Sequence, residues 1–474
     1  MNEISKQGGS SGSERPWPIL WIAGTLVMVV TTVLLLTTPH PILAVVPAGA
    51  LLALLMLEQS PTIGYYLIVA LIPFGAYRSA TGTGGYLRIH WVLGVVLVGL
   101  AFLHWIPRKG VRRDLYSTMW PLFGLFIILR ILASLPSSYP TTAWTHVILL
   151  MAACVFVGVT MLFVSKRGFL YILPAVVVFS VTFSSFLSVV GYFFEIPYFA
   201  EKAVTGAFKR GTGAAPDPNN LALMIVFAVP FAVHYMLHGR GLIRRGLAGG
   251  LILINVLAII TTYSRGGALM FGVMLLGLLI EYRHRLRPVH LGLVICGLAL
   301  MGVFTVATAP TSYWDRLRSL TTAEDSAMQR RLSYVKVAAR AFAERPILGH
   351  GPGAFRKIYA QTEYAERFQS RDETKERAAH NTYLDILVGS GILGLLVFLG
   401  ILYVALRNFW VAKKRAGPQG GRKLSVLMGT YRLSFILVLL YLLIFSDPYH
   451  KYMLLSLGLS HVAVAKVINS EQED

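Results

Sequence analysis

Charged residues and cysteines are both scarce in this chain, and each scarcity excludes a class of protein. Only 14% of the 474 residues are charged, against about 25% in a soluble globular protein. The two cysteines, Cys154 and Cys296, lie inside apolar runs, so neither a disulfide framework nor a thiolate metal site is expected. HExxH, paired-acidic and P-loop motifs are also missing from the side that carries the candidate site. The sequence therefore gives no support to a bound metal or to any cofactor.

Long apolar runs make up most of the chain, and 55% of its residues are hydrophobic. A helix needs roughly 20 residues to cross a hydrocarbon core of about 30 Å. The runs are apolar on all faces, whereas the strands of a membrane β-barrel alternate. The sequence predicts an all-α polytopic membrane protein with 12–14 transmembrane helices, over 17–37, 41–57, 62–75, 89–106, 119–135, 146–164, 169–191, 221–237, 247–262, 267–280, 291–308, 382–406, 424–445 and 452–467.

Lysine and arginine are concentrated in alternate loops. With the N-terminus inside, the basic segments 107–114, 165–168, 238–246, 281–290 and 407–423 all face the cytoplasm. This is the distribution that the positive-inside rule requires, and it predicts that both termini are cytoplasmic. The net charge of +21 is then explained by orientation and by membrane lipids, so nucleic acid is not an expected partner.

One long polar segment interrupts the apolar runs. We expect a cytoplasmic tail over 1–16, eleven transmembrane helices over 17–308, an extracytoplasmic loop over 309–380 (the long loop), C-terminal transmembrane helices over 381–467 and a tail over 468–474. Apolar residues at helical spacing from Met328 to Phe342 predict an amphipathic helix that ends before Pro346. A second amphipathic helix is expected over 354–368, after the Gly-rich turn 348–353, and both are expected to cover a cavity between the spans.

Arginines occur on the outer side, where the charge rule predicts few. Arg210 lies in the Gly/Pro-rich loop 208–220, and Arg265 lies in the tight turn 262–267. A guanidinium suits bidentate contact with phosphate oxygens, and neighbouring glycines let backbone N–H groups approach an anion. Arg130 lies inside an apolar run, where a charge costs about 2.5 kcal/mol or more. Taken singly, Arg130 and Arg88 are explained more simply as anchors to lipid headgroups.

His380 and Asn381 lie where the long loop meets an apolar run. A histidine exchanges a proton near neutral pH, so His380 is either an inert interfacial residue or a general base. Its position on the same side as Arg210 and Arg265 favours the base.

Four segments resemble the O-antigen ligase and polymerase superfamily: 210–220, 263–267, 346–355 and the stretch from His380 to Gly394. The loop-end motif of the ligase family is a histidine, a small amide or hydroxyl residue, nine positions, a glycine, two positions and a small residue. His380, Asn381, Gly391 and Gly394 match it completely. The resemblance covers about residues 200–400. It implies a metal-independent glycosyltransferase with a GT-C-like helical fold, acting at the periplasmic face of the bacterial inner membrane.

The resemblance also implies roles for the candidate residues. The donor would be a glycan linked to undecaprenyl diphosphate, and Arg210 and Arg265 would stabilise the diphosphate as it leaves. Arg88, Arg130 and Asn381 would be further contacts to the donor. His380 would take the proton from the acceptor hydroxyl, and attack from the far side would invert the anomeric carbon.

Alternatives remain open for the acceptor and for the class of protein. The acceptor is a lipid A-core (ligase), a second lipid-linked repeat (polymerase) or a protein side chain (oligosaccharyltransferase). The moderate length of the long loop and the lack of a further large periplasmic domain favour the ligase. A protein of a different functional class, a transporter or flippase of lipid-linked sugar, is a further alternative. Transporters often place broken helices at mid-depth, whereas the polar residues here cluster at one surface, which favours an enzyme.

Overall fold

A computed structural model describes residues 61–74, 117–164, 168–202, 209–284, 326–368, 375–419 and 421–473, and six isolated positions (29, 299, 302, 303, 306 and 311). The chain divides into two compact units, Met1–Gly64 and Tyr65–Asp474, and all residues of the candidate site belong to the second. Apart from isolated positions, the predicted spans over 17–37, 41–57, 89–106 and 291–308 lie outside the described residues, as does Arg88. The total number of spans therefore stays a prediction.

The described part of the chain is almost entirely helical. Its elements are α1 (Pro61–Ala70), α2 (Met119–Ser134), α3 (Pro140–Phe163), α4 (Phe169–Phe193), β1 (Ala200–Lys202), β2 (Lys209–Gly211), α5 (Pro218–His238), α6 (Leu242–Thr261), α7 (Arg265–Tyr282), α8 (Ser326–Glu344), α9 (Ala354–Ala360), α10 (Glu363–Arg367), α11 (Thr382–Gln419), α12 (Gly421–Tyr441) and α13 (Lys451–Glu473). Helices α3 to α7, α11 and α12 are long and apolar enough to cross a membrane, and α2 and the part of α13 over Lys451–Ala465 are shorter apolar segments. The prediction of an all-α polytopic membrane protein is confirmed.

Two membrane helices are longer than the apolar pattern predicts. Helix α3 begins at Pro140 instead of near residue 146, because proline is well tolerated in the first turn of a helix. Helix α11 continues to Gln419 instead of ending near residue 406. The added segment is rich in alanine, lysine and arginine, which form helices well without being apolar.

The long loop contains the first predicted amphipathic helix, which is α8 (Ser326–Glu344). The second predicted helix is instead two short helices, α9 and α10. The interruption is at Thr362, whose backbone is extended (φ −94°, ψ 156°). Its hydroxyl donates to the carbonyl of Tyr359 at 2.7 Å, a local bond of the kind that competes with a continuous helix.

The helices of the long loop pack onto the start of α11. Their shared hydrophobic core consists of Tyr334, Val337, Ala338, Ala341, Phe355, Tyr359, Ala365, Ala379 and Val388. Helix α11 also packs against α2, α12 and α13. Burial of this core places the residues just before α11, including His380, between the long loop and the membrane helices.

Helix α11 is kinked at Gly391, where φ is 64° and ψ is −169°. The long loop docks at this kink through backbone hydrogen bonds. The N–H of Ile392 donates to the carbonyl of Pro346 at 2.8 Å, and the N–H of His350 donates to the carbonyl of Val388 at 2.9 Å. The glycine of the sequence motif thus admits the backbone of a loop, and the kink supplies hydrogen-bonding groups that a continuous helix would use internally.

Gly391→Ala is expected to lower the free energy of unfolding by about 2–3 kcal/mol. A Cβ at this position would collide with the carbonyl of Ile347, and the positive φ disfavours any side chain. The matched control is Gly400→Ala on the same helix, where the nearest atom, of Leu122, is 3.7 Å from the new Cβ and alanine favours the helix. The midpoint of thermal unfolding in detergent should fall for the first variant alone. Equal midpoints would contradict the role of the kink.

Candidate active site

His380 lies between the end of the long loop and the first turn of α11. Its φ of 48° is uncommon for a residue with a side chain, so the surrounding packing must hold it there. The imidazole lies against the ring of Tyr334 on α8, with the ring centroids 5.7 Å apart, and it keeps an exposed face. The histidine is therefore both oriented by the long loop and accessible to a substrate.

Asn381 caps α11. Its Oδ1 accepts from the backbone N–H groups of Tyr383 at 2.9 Å and Leu384 at 3.1 Å. Its own N–H donates to the hydroxyl of Ser446 in the α12–α13 connection at 3.1 Å. Because the side-chain oxygen is used by the helix, only the amide nitrogen of Asn381 remains for a donor contact.

Arginines surround His380 on several elements. The imidazole is crowded by protein despite its exposed face, and this crowding lowers the pKa of His380 to about 4 with the help of nearby positive charges. These charges are, in order of effect, Arg331, Arg330, Arg356 and Arg377. Two carboxylates of the long loop are paired with lysines, Lys357 with Glu376 and Lys375 with Glu366. His380 is consequently neutral, and able to accept a proton, at physiological pH.

Arg210 is held by three elements. It lies opposite Glu201 in the antiparallel pair β1–β2, and its Nη1 is 3.9 Å from the carboxylate of Glu201. Its Nε donates to the carbonyl of Thr262 at 2.9 Å, and its Nη2 donates to Oδ1 of Asn219 at 3.4 Å. These contacts connect the hairpin, the start of α5 and the α6–α7 turn, so the guanidinium has a fixed orientation.

Arg265 is the first residue of α7, beside Arg210. The helix is capped by Ser264, whose Oγ accepts from the N–H of Gly267 at 3.0 Å and donates to Oδ1 of Asn219 at 2.8 Å. Arg265 is half-buried, and it is close enough to Arg210 to disfavour the charge there. The structure thus brings together two arginines that are 55 positions apart in the chain, at the positive end of a helix dipole.

The histidine and the paired arginines are connected through Tyr441 and Arg331. The hydroxyl of Tyr441 donates to the carbonyl of Asn219 at 2.8 Å. Tyr441 lies within electrostatic range of Arg210 and of Arg331, and Arg331 lies within electrostatic range of His380. The predicted residues His380, Arg210 and Arg265 therefore lie on one side of the helix bundle. Nothing in the sequence indicates that Tyr441 lies beside these residues. The sequence shows Arg331 only as part of the polar face of a predicted helix.

Arg130 lies apart from the paired arginines. It is 2% exposed on α2, and the rings of Phe126 and Tyr449 lie 5.1 Å and 5.8 Å from its guanidinium carbon. Asp385 on α11 is close enough to interact electrostatically with Arg130. Arg130 is therefore neither a headgroup anchor at the surface nor a neighbour of Arg210.

Within the described ranges, the His, Cys, Asp and Glu side chains form no group of three or more that could hold a metal ion.

Part of the chain matches a known protein family. No curated protein matches the chain significantly. Residues 248–399 match the model of the family described as O-antigen ligase, a range that begins in α6 and ends in α11, and so contains Arg265, α8, α9 and His380. Members of the superfamily are glycosyltransferase-type enzymes. The match covers less than half of the chain and supports membership of the O-antigen ligase and polymerase superfamily, and the long apolar helices are those of a multi-pass membrane protein.

Proposed function

We propose that this protein is an inverting, metal-independent O-antigen ligase of the bacterial inner membrane. It transfers a polysaccharide from undecaprenyl diphosphate to a lipid A-core acceptor at the periplasmic face. The observation that carries the proposal is the neutral, accessible His380 on the same side as the paired Arg210 and Arg265. Displacement of a diphosphate by a hydroxyl needs these two parts, a base and a cationic site for the leaving group.

The paired arginines form the donor site. Two guanidinium groups held close together repel each other, and a bound dianion removes that repulsion. Arg210 is oriented before the donor binds, because Thr262 and Asn219 hold its Nε and Nη2. The N-terminus of α7 adds a positive partial charge at the same place. As the diphosphate leaves and its charge grows, these groups stabilise it without rearranging.

The reaction then follows in one displacement. The acceptor oxygen forms a bond to the anomeric carbon while the bond from that carbon to the diphosphate oxygen breaks. The electron pair of the broken bond leaves with the diphosphate, and the hydroxyl proton moves to His380. Because the acceptor attacks from the side opposite the leaving group, the configuration is inverted.

The arginines around His380 support an anionic acceptor. In an inverting displacement the base and the leaving group are on opposite faces of the sugar, so cations near the base face the acceptor. Arg330 and Arg356 form no ion pair with a carboxylate among the described residues. A phosphorylated lipid A-core would neutralise this charge, whereas a neutral protein hydroxyl would not.

The rate should depend on pH with an unusually acidic limb. Transfer requires neutral imidazole, so kcat/KM for the acceptor should fall only as the pH approaches the lowered pKa of about 4, and not near the ordinary value of about 6.5. Removing a cation in Arg331→Gln should move this limb to higher pH. Arg340→Gln, on an exposed face of α8 near Glu344, should leave it unchanged. A wild-type limb near pH 6.5, or one that Arg331→Gln does not move, would contradict the assignment.

The experiment that tests the function is transfer by the purified full-length chain in detergent, with undecaprenyl diphosphate-linked glycan and lipid A-core, in the presence of EDTA. We expect glycosylated lipid A-core with inverted anomeric configuration. Elongation of the lipid-linked glycan alone would indicate a polymerase. No transfer to any acceptor would favour a transporter, and activity that EDTA abolishes would overturn the metal-free mechanism.

A further inference from the structure

Helix α8 has two apolar faces, and only one of them is buried in the protein. The buried face contributes Tyr334, Val337, Ala338 and Ala341 to the core of the long loop. The other face, which we call the outer stripe, consists of Met328, Leu332, Val335, Ala339 and Phe342. Its three largest aliphatic side chains, at 328, 332 and 335, are 59%, 54% and 49% exposed. An apolar stripe that faces outward from a folded helix marks an interaction surface.

The apolar faces and the charges divide α8 into three sectors. The third sector carries Lys336, Arg340 and Glu344, and all three side chains are exposed. At 3.6 residues per turn, the centres of the buried face, the outer stripe and this polar sector are roughly 120° apart. A helix at the edge of a membrane bundle needs three such faces, because it contacts protein, lipid and water in turn.

The end of α8 lies where the lipid-facing surface of the membrane helices begins. Nη1 of Arg345 donates to the carbonyl of Pro136, just after α2, at 3.0 Å. The carbonyl of Pro346 accepts from the N–H of Ile392 on α11 at 2.8 Å. Both membrane helices present exposed apolar side chains near these contacts, namely Leu132, Leu135, Leu393 and Leu396. Ile347 is also exposed, so the apolar surface of the spans continues onto the segment that follows α8.

The charges beside the outer stripe fit an anionic surface. Arg331 and Lys336 are exposed on opposite sides of the stripe, about 60° and 80° from its centre. Together with Arg330 and Arg340, they give α8 four cations against one carboxylate, that of Glu344. Long cationic side chains that border an apolar stripe can extend to lipid phosphates while the stripe contacts acyl chains.

We infer that the outer stripe docks α8 onto the membrane surface, on the side of the bundle that carries His380, with a preference for anionic phospholipid. Acyl chains cover the stripe, and lipid phosphates lie beside Arg331 and Lys336. Because Tyr334 on the buried face lies against His380, the docked helix fixes that ring relative to the membrane. The inference concerns the position of the long loop, and it does not depend on the reaction that His380 performs.

A protein partner fits the outer stripe less well than a lipid surface. The stripe extends about 21 Å along the axis from Met328 to Phe342, and a helix is about 10 Å wide. It therefore offers only about 200 Å², whereas a stable complex buries about 800 Å² on each partner. A membrane needs no such area, since the transmembrane helices already hold α8 close to it.

The test is the depth of a nitroxide at Leu332 in the full-length protein, in nanodiscs of phosphatidylethanolamine and phosphatidylglycerol. The label is attached to Leu332→Cys after Cys154 and Cys296 have been replaced by alanine. Electron paramagnetic resonance compares its collisions with oxygen and with a water-soluble nickel complex. We expect a depth of about 5–10 Å into the boundary between headgroups and acyl chains. Arg340→Cys, in the polar sector, is the matched control, and its label should be as accessible as in bulk water.

Val335→Cys provides a second labelled position and should give a similar depth, so the result does not depend on one variant. Labels in water at both positions would overturn the docking. Labels shielded from both oxygen and nickel would indicate a second copy or another protein on the stripe, and would also overturn it. So would a depth that appears only after lipid A-core is added, because the occupant would then be the acceptor.

A change of lipid tests the preference for anionic headgroups. When phosphatidylcholine replaces phosphatidylglycerol, the labels should move toward water, because Arg331 and Lys336 lose their anionic partners. An unchanged depth would contradict the preference.

Discussion

His380→Ala is expected to lower the rate of glycan transfer by about 10²- to 10⁴-fold, the usual contribution of a general base. The reason is chemical rather than structural. The imidazole is accessible and neutral at physiological pH, whereas its charged neighbours Arg331, Arg330, Arg356 and Arg377 cannot accept a proton. The measurement is kcat with purified protein at saturating donor and acceptor, together with the affinity for the donor.

Donor affinity should remain near the wild-type value in His380→Ala, because the paired arginines are unaltered. His284→Ala changes an exposed histidine beside Arg283, outside the candidate site, and is the matched control, expected to keep wild-type transfer. Near-wild-type turnover of His380→Ala would show that another group takes the proton.

Arg265→Lys should also reduce transfer strongly, by about 10²- to 10³-fold in kcat, although it keeps the positive charge. This is the loss that follows removal of one preorganised donor to a developing negative charge. A lysine offers one ammonium in place of a planar fork, so it cannot contact two phosphate oxygens in the same way. Arg210→Lys should show a similar loss, and it should in addition weaken the contacts with Thr262 and Asn219.

Lys209→Arg is the matched control for these variants. Lys209 is adjacent to Arg210 in β2 and pairs with Glu195 at 2.7 Å near the surface, where either cation suffices. Its kcat and donor KM should be those of the wild type. If Arg265→Lys behaves in the same way as this control, then Arg265 is a charge at the membrane boundary and not a diphosphate ligand.

Much of the framework of the site can be predicted from the sequence. Apolar periodicity and charge placement give the helices of the described region, and the segment from His380 to Gly394 marks the start of α11. Arg210 and Arg265 are recognisable because glycines and turns flank them in otherwise apolar surroundings. In each case the signal is local, within about ten residues of the position that it concerns.

The features that depend on tertiary contacts could not be predicted. The kink at Gly391 cannot be recognised in the sequence, because the apolar run continues through it. The segment that hydrogen-bonds to the interrupted helix is a loop about 40 residues earlier in the chain. The positive charges that lower the pKa of His380 come from α8, α9 and the end of the long loop. Burial of Arg130 depends on the packing of α2 against other helices, among them α11, so the sequence alone favoured a headgroup anchor.

The central claim is that the paired arginines hold the diphosphate while His380 faces the acceptor. The most direct measurement is an electron cryomicroscopy structure of the inactive His380→Ala protein with undecaprenyl diphosphate-linked glycan bound. We predict diphosphate oxygens within hydrogen-bonding distance, about 2.7–3.2 Å, of Arg210 and Arg265, with the anomeric carbon directed toward position 380. A diphosphate bound instead by Arg330 and Arg356, with Arg210 and Arg265 making no contact, would contradict the account.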